Sequence, residues 1–374
     1  MNFPAFRLER FFAKHEFTAA YLLSASDSET WSLEELLHGA SDESLALWSG
    51  MRFSYTESQG HPLLRAEAAR LYAEMKPEDI LIAVPEEAVF ILMQALLGAG
   101  DHAVVVTPAY QSLYEVAAGT GCEVTRLMLR AEGARWHLDL DELQRSLNER
   151  TRLMVVNFPH NPTGYMPAPE EFAALVDLAR SRGLYLFSDE MYRLLEHDPA
   201  RRLPAVCEAY EKGVSLTGLS KSFGLPGLRV GWLATRDRAL LERCMGLKDY
   251  TTICGSAPSE ILAILALRSK EELLRRNRGI LAHNLAAARS FFTQHDGLFR
   301  WMEPEGGPVA FPAWTGPGTA EEFGRRLLEE QGVLIAHGGL FEYPGEHFRV
   351  GMGRRNFPHA LERLGTFLAS KACA

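Results

Sequence analysis

Lys221 stands shortly after the apolar run Val214 to Leu216, among Leu219, Phe223, Leu225, Pro226 and Leu228. Burial among such residues disfavours the ammonium form and lowers a lysine's pKa. A neutral amine can attack an aldehyde and form an imine. A lone loop lysine is ordinarily a solvated surface charge, so this chemistry needs partners. Arg229, eight residues on, is one, because a planar guanidinium fork suits phosphate oxygens. Together the two suggest a Schiff-base lysine for pyridoxal phosphate (PLP), with Arg229 at the phosphate.

Strand patterns that could position these residues fall at Ile80 to Val84, Ala103 to Thr107, Val124 to Leu129, Leu153 to Asn157, Leu184 to Ser188, Val214 to Leu216 and Val230 to Ala234. Most are continuous in hydrophobicity, as strands covered on both faces are. Helical patterns lie between several of them, notably Glu86 to Leu97, Pro167 to Arg182 and Pro204 to Tyr210. That order predicts an α/β fold with a mostly parallel seven-stranded sheet between helical layers. Ligands in such sheets lie outside the carboxyl ends of the strands. Polar clusters stand at those ends: Asn157-Phe158-Pro159-His160-Asn161-Pro162-Thr163-Gly164, then Asp189-Glu190-Met191-Tyr192, then Lys221. Asn-Pro-Thr-Gly makes good turns by itself, Asp189 could cap a helix and Tyr192 could be packing. Their recurrence along one sheet edge favours a site.

Past about Gly255 the pattern becomes α+β, with helices at Ser259 to Leu267, Leu274 to Phe292, Ala320 to Gln331 and Pro358 to Lys371 and short strands between them. Two domains are expected at this length: a large one over 46–255, and a smaller one joining 1–45 with 256–374. Ser32 with Glu35 three residues on predicts a capping box. The net charge of −9 gives no reason to expect nucleic acid or an anionic membrane as partner. The N-terminus reads as neither signal nor transit peptide, and no apolar run nears the ~20 residues that span a bilayer. Five scattered cysteines without metal-ligand spacing fit reduced thiols in a cytoplasmic protein.

These residues resemble the fold-type I PLP-dependent enzymes, specifically the class I/II aminotransferases, from about Leu22 to the C-terminal helix. The resemblance rests on Ser220-Lys221 through Arg229-Val230-Gly231-Trp232, Asn161-Pro162-Thr163-Gly164, Asp189-Glu190-Met191-Tyr192 and Arg349, in order and correctly spaced. It implies that Lys221 binds the cofactor as an imine and, once released, moves a proton at the substrate's α-carbon. Asp189 pairs with the ring nitrogen, Asn161 and Tyr192 bond the ring's phenolic oxygen, and Tyr110 stacks on the ring. Arg229 and Ser220 serve the phosphate, and Tyr55 reaches the phosphate of a neighbouring subunit, which implies a homodimer with shared active sites. Arg349 grips the substrate carboxylate bidentately, with Asn161 beside it.

Two departures concern the phosphate cup. The usual small-residue turn is here Val84-Pro85-Glu86-Glu87. Glu86 and Glu87 are expected to turn their side chains away and offer backbone N–H groups at a helix N-terminus. Gly218 stands where serine is frequent, leaving Thr217 or Ser220 to supply a hydroxyl. The resemblance implies transamination between an L-amino acid and a 2-oxo acid. Leu23 to Leu33 and Val84 to Ala88 are also similar to enzymes of peptide-antibiotic pathways, including one that cyclises a hydroxylated arginine. Elimination, replacement or cyclisation is therefore the alternative. Ser26, Asp27, Glu29 and Tyr250 to Cys254 are candidates for the side-chain pocket.

Overall fold

The computed structural model describes residues 3–372. All seven strand patterns of the large sheet form strands: β1 (Ile80–Ala83), β2 (His102–Thr107), β3 (Glu123–Met128), β4 (Thr151–Asn157), β5 (Tyr185–Asp189), β6 (Gly213–Gly218) and β7 (Gly231–Ala234). Their order across the sheet is β1-β7-β6-β5-β4-β2-β3. All neighbours run parallel except β7, which is antiparallel to both β1 and β6. Continuous hydrophobicity has the expected cause. Val104, Val106, Met154 and Val156 face one core, whereas Ala103, Val105, Leu153 and Val155 face another, since successive residues of a strand point to opposite faces.

Four helices matter most to the site. They are α1 (Arg7–His15), α2 (Pro85–Leu96), α3 (Ser112–Gly119) and α4 (Pro169–Arg182). Proline opens α2 and α4 at the first turn, where its missing N–H costs nothing. The capping box at Ser32 is present, Glu35 N donating to Ser32 Oγ and Ser32 N to Glu35 Oε2.

The C-terminal part carries α5 (Lys270–Gln294), α6 (Ala320–Gln331) and α7 (Phe357–Ala372). With them is a three-stranded antiparallel sheet in which Phe348–Gly351 lies between Val309–Ala310 and Ala336–His337. The N-terminal segment joins this part: Tyr21–Leu22 pairs in parallel with Val333–Leu334. Next to that pair the backbone of Ala25 presses on Gly351, where an added Cβ would lie 1.6 Å from Ala25 O. This close approach, open only to glycine, lays Ser24 to Asp27 over Arg349.

Candidate active site

The ends of β4 and β5 meet, with Asn157 paired to Asp189 in register and Asp189 to Leu216 of β6. A cleft of about 430 Å³ opens there, a size within the roughly 300–1,000 Å³ of small-molecule pockets. Lys221, Asp189, Tyr192, Asn161, Tyr110, Arg229, Ser220, Glu86 and Arg349 all line it. Residues from four strand-end loops, the first turn of α2 and the C-terminal sheet thus reach one space.

Lys221 Nζ donates to Ser26 Oγ at 2.9 Å. Burial lowers its pKa, with Arg349 assisting against Asp27, Glu9 and Asp189, which moves the amine toward the form that attacks a carbonyl. Asp189 is pushed up to about 6 by desolvation, while the Met191 amide and Lys221 pull it down. Its Oδ1 accepts from Met191 N at 3.1 Å, so it closes a local turn and still faces the cleft. Tyr192 is buried and its hydroxyl makes no hydrogen bond of good geometry among the described residues. The same holds for Ser220 Oγ.

Arg349 is 1% exposed. Its Nε donates to Ser24 O at 3.0 Å and its Nη1 to Asn161 Oδ1 at 3.1 Å. The Phe12 and Phe341 rings lie 5.6 and 5.3 Å from the guanidinium. No ion pair to it occurs among the described residues. Buried cations are costly unless paired, and the donors left over on Arg349 are those a carboxylate would take.

Asn157 joins the site though its side chain carried no expectation. Its Nδ2 donates to Asp189 O at 2.6 Å and its Oδ1 accepts from Asn161 N at 2.7 Å, locking two strand-end loops together. The strand-end rule that found Asp189 applied to it equally. Helix α1 adds Glu9 and Phe12 to the lining, Glu16 follows at its C-cap, and Arg354 enters beyond Arg349. Tyr110 Oη donates to Glu9 Oε1 at 2.6 Å, and Arg354 is bidentate to Asp27 at 3.0 and 2.9 Å. No spacing in the sequence assigned α1 to the cleft.

The structure corrects several expectations. Glu87 turns away, its Oε1 accepting from the hydroxyls of Thr251 and Thr252, but Glu86 does not. It lines the cleft as an exposed residue. Thr217 faces the opposite side of β6, bonded to Tyr72 at 3.1 Å, so of the two hydroxyls only Ser220 lines the site. A Cβ at Gly218 would lie 3.1 Å from the Met191 methyl, Val230 O and the Gly231 Cα, leaving little room for a serine. Ser26 and Asp27 line the cleft, whereas Glu29 and Tyr250 to Cys254 do not. Glu29 instead accepts from Arg355 N at 2.8 Å. Tyr55, which the resemblance assigns to a neighbouring subunit's site and not to this one, is 90% exposed and outside this chain's cleft.

The donor set fits PLP. A lysine of lowered pKa could meet the aldehyde, a half-buried carboxyl the ring nitrogen, and a buried phenol the ring oxygen. Ser220, Arg229 and the first turn of α2 could hold the phosphate. Residues 22–364 match the family described as aminotransferase class I and II. Capreomycidine synthase of Streptomyces vinaceus is 31% identical, covering 97% of this chain and 94% of that protein. A PLP-dependent aminotransferase from Streptococcus suis superposes with a TM-score of 0.92 at 30% identity, covering 99% of both chains. The PLP-dependent cyclase OrfR gives 0.90 at 30% identity, covering 99% of this chain and 98% of its own.

Proposed function

The chain belongs to the aminotransferase class I and II family, with PLP as its cofactor, and within that family we propose that it transfers the amino group of an L-amino acid to a 2-oxo acid. Arg349 carries the proposal: a buried guanidinium with no carboxylate partner among the described residues, in the same cleft as Lys221. Bound there, PLP supplies an aldehyde for Lys221 and a protonated ring that accepts electrons from the substrate's α-carbon. Arg349 orients the substrate carboxylate. Asn161, its Oδ1 already engaged by Arg349, turns its Nδ2 and Tyr192 its hydroxyl toward the phenolic oxygen. Asp189 would hold the ring-nitrogen proton, and the Lys221 amine would move a proton between the substrate's α-carbon and the cofactor's C4′ carbon, two atoms away. Arg229, Ser220 and the backbone amides of Glu86 and Glu87 take the phosphate. Tyr55 completes the cup of a second copy in a homodimer, which is also why it stands exposed.

A second reading is cyclisation, elimination or replacement on a modified basic amino acid. Glu9, Glu16 and Asp27 line the cleft against Arg354, an excess of acid suited to a cationic side chain. The similarity to capreomycidine synthase and OrfR supports the same choice. Offering single amino acids without an oxo-acid acceptor separates the two. Transamination yields at most one oxo acid per site and then stops until an acceptor is added. Continuous turnover without an acceptor, whether to a cyclic or substituted amino acid or to an oxo acid with ammonia, would overturn it in favour of the second reading. Lys221→Ala abolishes either reaction, and full turnover by that variant would remove both.

A further inference from the structure

We propose that Ser26 is a positioning residue for the catalytic lysine: its hydroxyl holds the Lys221 amine on the substrate side of the cleft and favours the protonated form in which that amine carries the α-proton. This rests on the proposed assignment of Lys221 to the cofactor's aldehyde and of Arg349 to the substrate carboxylate. Lys221 Nζ donates to Ser26 Oγ at 2.9 Å, across 195 residues of chain. Among the described residues it is the only hydrogen bond this amine makes.

The hydroxyl sits on a strap that is pinned at both ends. Gly351 N donates to Leu23 O at 2.6 Å, and Glu29 N donates to Gly353 O at 2.8 Å. Between them Arg349 Nε donates to Ser24 O at 3.0 Å, and Arg354 is bidentate to Asp27. One strap thus touches both the arginine that takes the carboxylate and, two residues on, the lysine. A substrate's α-carbon is one bond from its carboxylate carbon, so an amine kept on Ser26 stays where that carbon arrives. A freed lysine on its flexible four-carbon stem has no such address without the contact.

Donation to Ser26 uses an N–H and leaves the nitrogen's lone pair free. When the α-C–H bond breaks, its electron pair passes to the cofactor's ring and the proton to Lys221, which is an ammonium until it hands the proton to C4′. A hydroxyl oxygen accepts more strongly from an ammonium than from an amine, so the contact tightens as the proton arrives. Interactions that grow in this way lower a barrier. The bond works against the neutral amine that captures the aldehyde and for the ammonium that carries the α-proton. Other groups act on the amine through their charge: Asp27 on the strap, Glu9 and Glu16 at α1 and Asp189 at the end of β5, opposed by Arg349. Tyr192, its phenol pushed up by burial, is neutral beside them. Truncating Ser26 leaves all of these in place.

The rate at which the full chain, freed of cofactor, captures PLP reads Lys221 directly, because only the neutral amine attacks. It is followed by absorbance as a function of pH; the ionisations of PLP itself are common to every variant. In Ser26→Ala the pH midpoint of capture should fall by about one unit, the shift expected when an ammonium loses a hydrogen bond. Ser24→Ala, on the same strap but with a hydroxyl that does not meet the amine, should keep the wild-type midpoint. An unchanged midpoint in Ser26→Ala overturns the proposal. An equal shift in Ser24→Ala overturns it too, since the strap and not the hydroxyl would then be responsible. Lys221→Ala tests the underlying assignment separately: if that variant captures PLP with the wild-type absorbance, the aldehyde is not held by Lys221.

Discussion

At the scale of single residues, burial sets the chemistry. The same desolvation that lowers Lys221 raises Asp189 and Tyr192, because each charged form loses its hydration. For Arg349→Ala, whose donors we assign to the substrate carboxylate, the apparent Michaelis constant should rise roughly 10- to 100-fold, as expected for hydrogen bonds to a charged group. Cofactor affinity should change far less; steady-state kinetics beside a cofactor titration shows the split. His347 offers a residue-scale test of stability. It is buried against Phe311, Trp136 and Tyr343, both ring nitrogens lack partners among the described residues, and burial lowers it from 6.5 to about 4. The folded form therefore refuses a proton that the unfolded chain accepts below pH 6.5. Its contribution is fully present above that pH and is lost as pH falls toward 4, by up to about 1.4 kcal/mol per pH unit. His347→Phe keeps the stacked ring and should make the urea midpoint fall less steeply between pH 6.5 and 4.5; an unchanged slope would contradict this.

At the scale of elements, α1 is the piece the chain adds to an otherwise familiar edge of sheet. Arg7 ties it to Glu342 at 3.1 Å and, through its backbone amide, to Gln111 Oε1 at 2.9 Å. Leu8 enters the core beneath β2 and β4. Glu9, Phe12 and Glu16 are thereby held over Tyr110 and Arg349. The Tyr110–Glu9 bond is the contact that fastens α1 to the cleft wall. Tyr110→Phe should speed amide exchange across 7–15 by about tenfold, in line with the ~1.5–3 kcal/mol of a hydrogen bond to a charged acceptor. Exchange followed by mass spectrometry reads this directly, and unaltered protection would mean that α1 is held by its other contacts.

At the scale of the whole molecule, Phe53, Tyr55, Tyr250 and Ile253 are 89%, 90%, 90% and 53% exposed. Large exposed apolar groups mark interaction surfaces, and a second copy of the chain is the occupant the proposed function requires. Sedimentation should return twice the 41.7 kDa chain mass. Tyr55→Phe should leave the dimer intact and weaken cofactor binding about fivefold, the worth of a hydrogen bond of ~1 kcal/mol. A monomer that binds cofactor with wild-type affinity would refute the shared site. Among the described residues no helix is long and apolar enough to cross a membrane.

The sequence by itself determined the seven strands, the capping box at Ser32 and the strand-end placement of Asn161, Asp189, Tyr192 and Lys221. These follow from local periodicity and turn chemistry, which neighbouring residues specify. Only the tertiary structure decided which way side chains face when two positions compete. Thr217 and Ser220 were equal candidates until the phase of β6 turned Thr217 toward Tyr72. Glu86 and Glu87 differ by one step around α2, about 100° of rotation, and the docking of α2 on β6 and β7 sets which of them meets the cleft. The same is true of α1, whose nine residues reach the site only because Leu8 and Arg7 find partners far along the chain. Facing is a phase, and phase is fixed by contacts that lie distant in sequence.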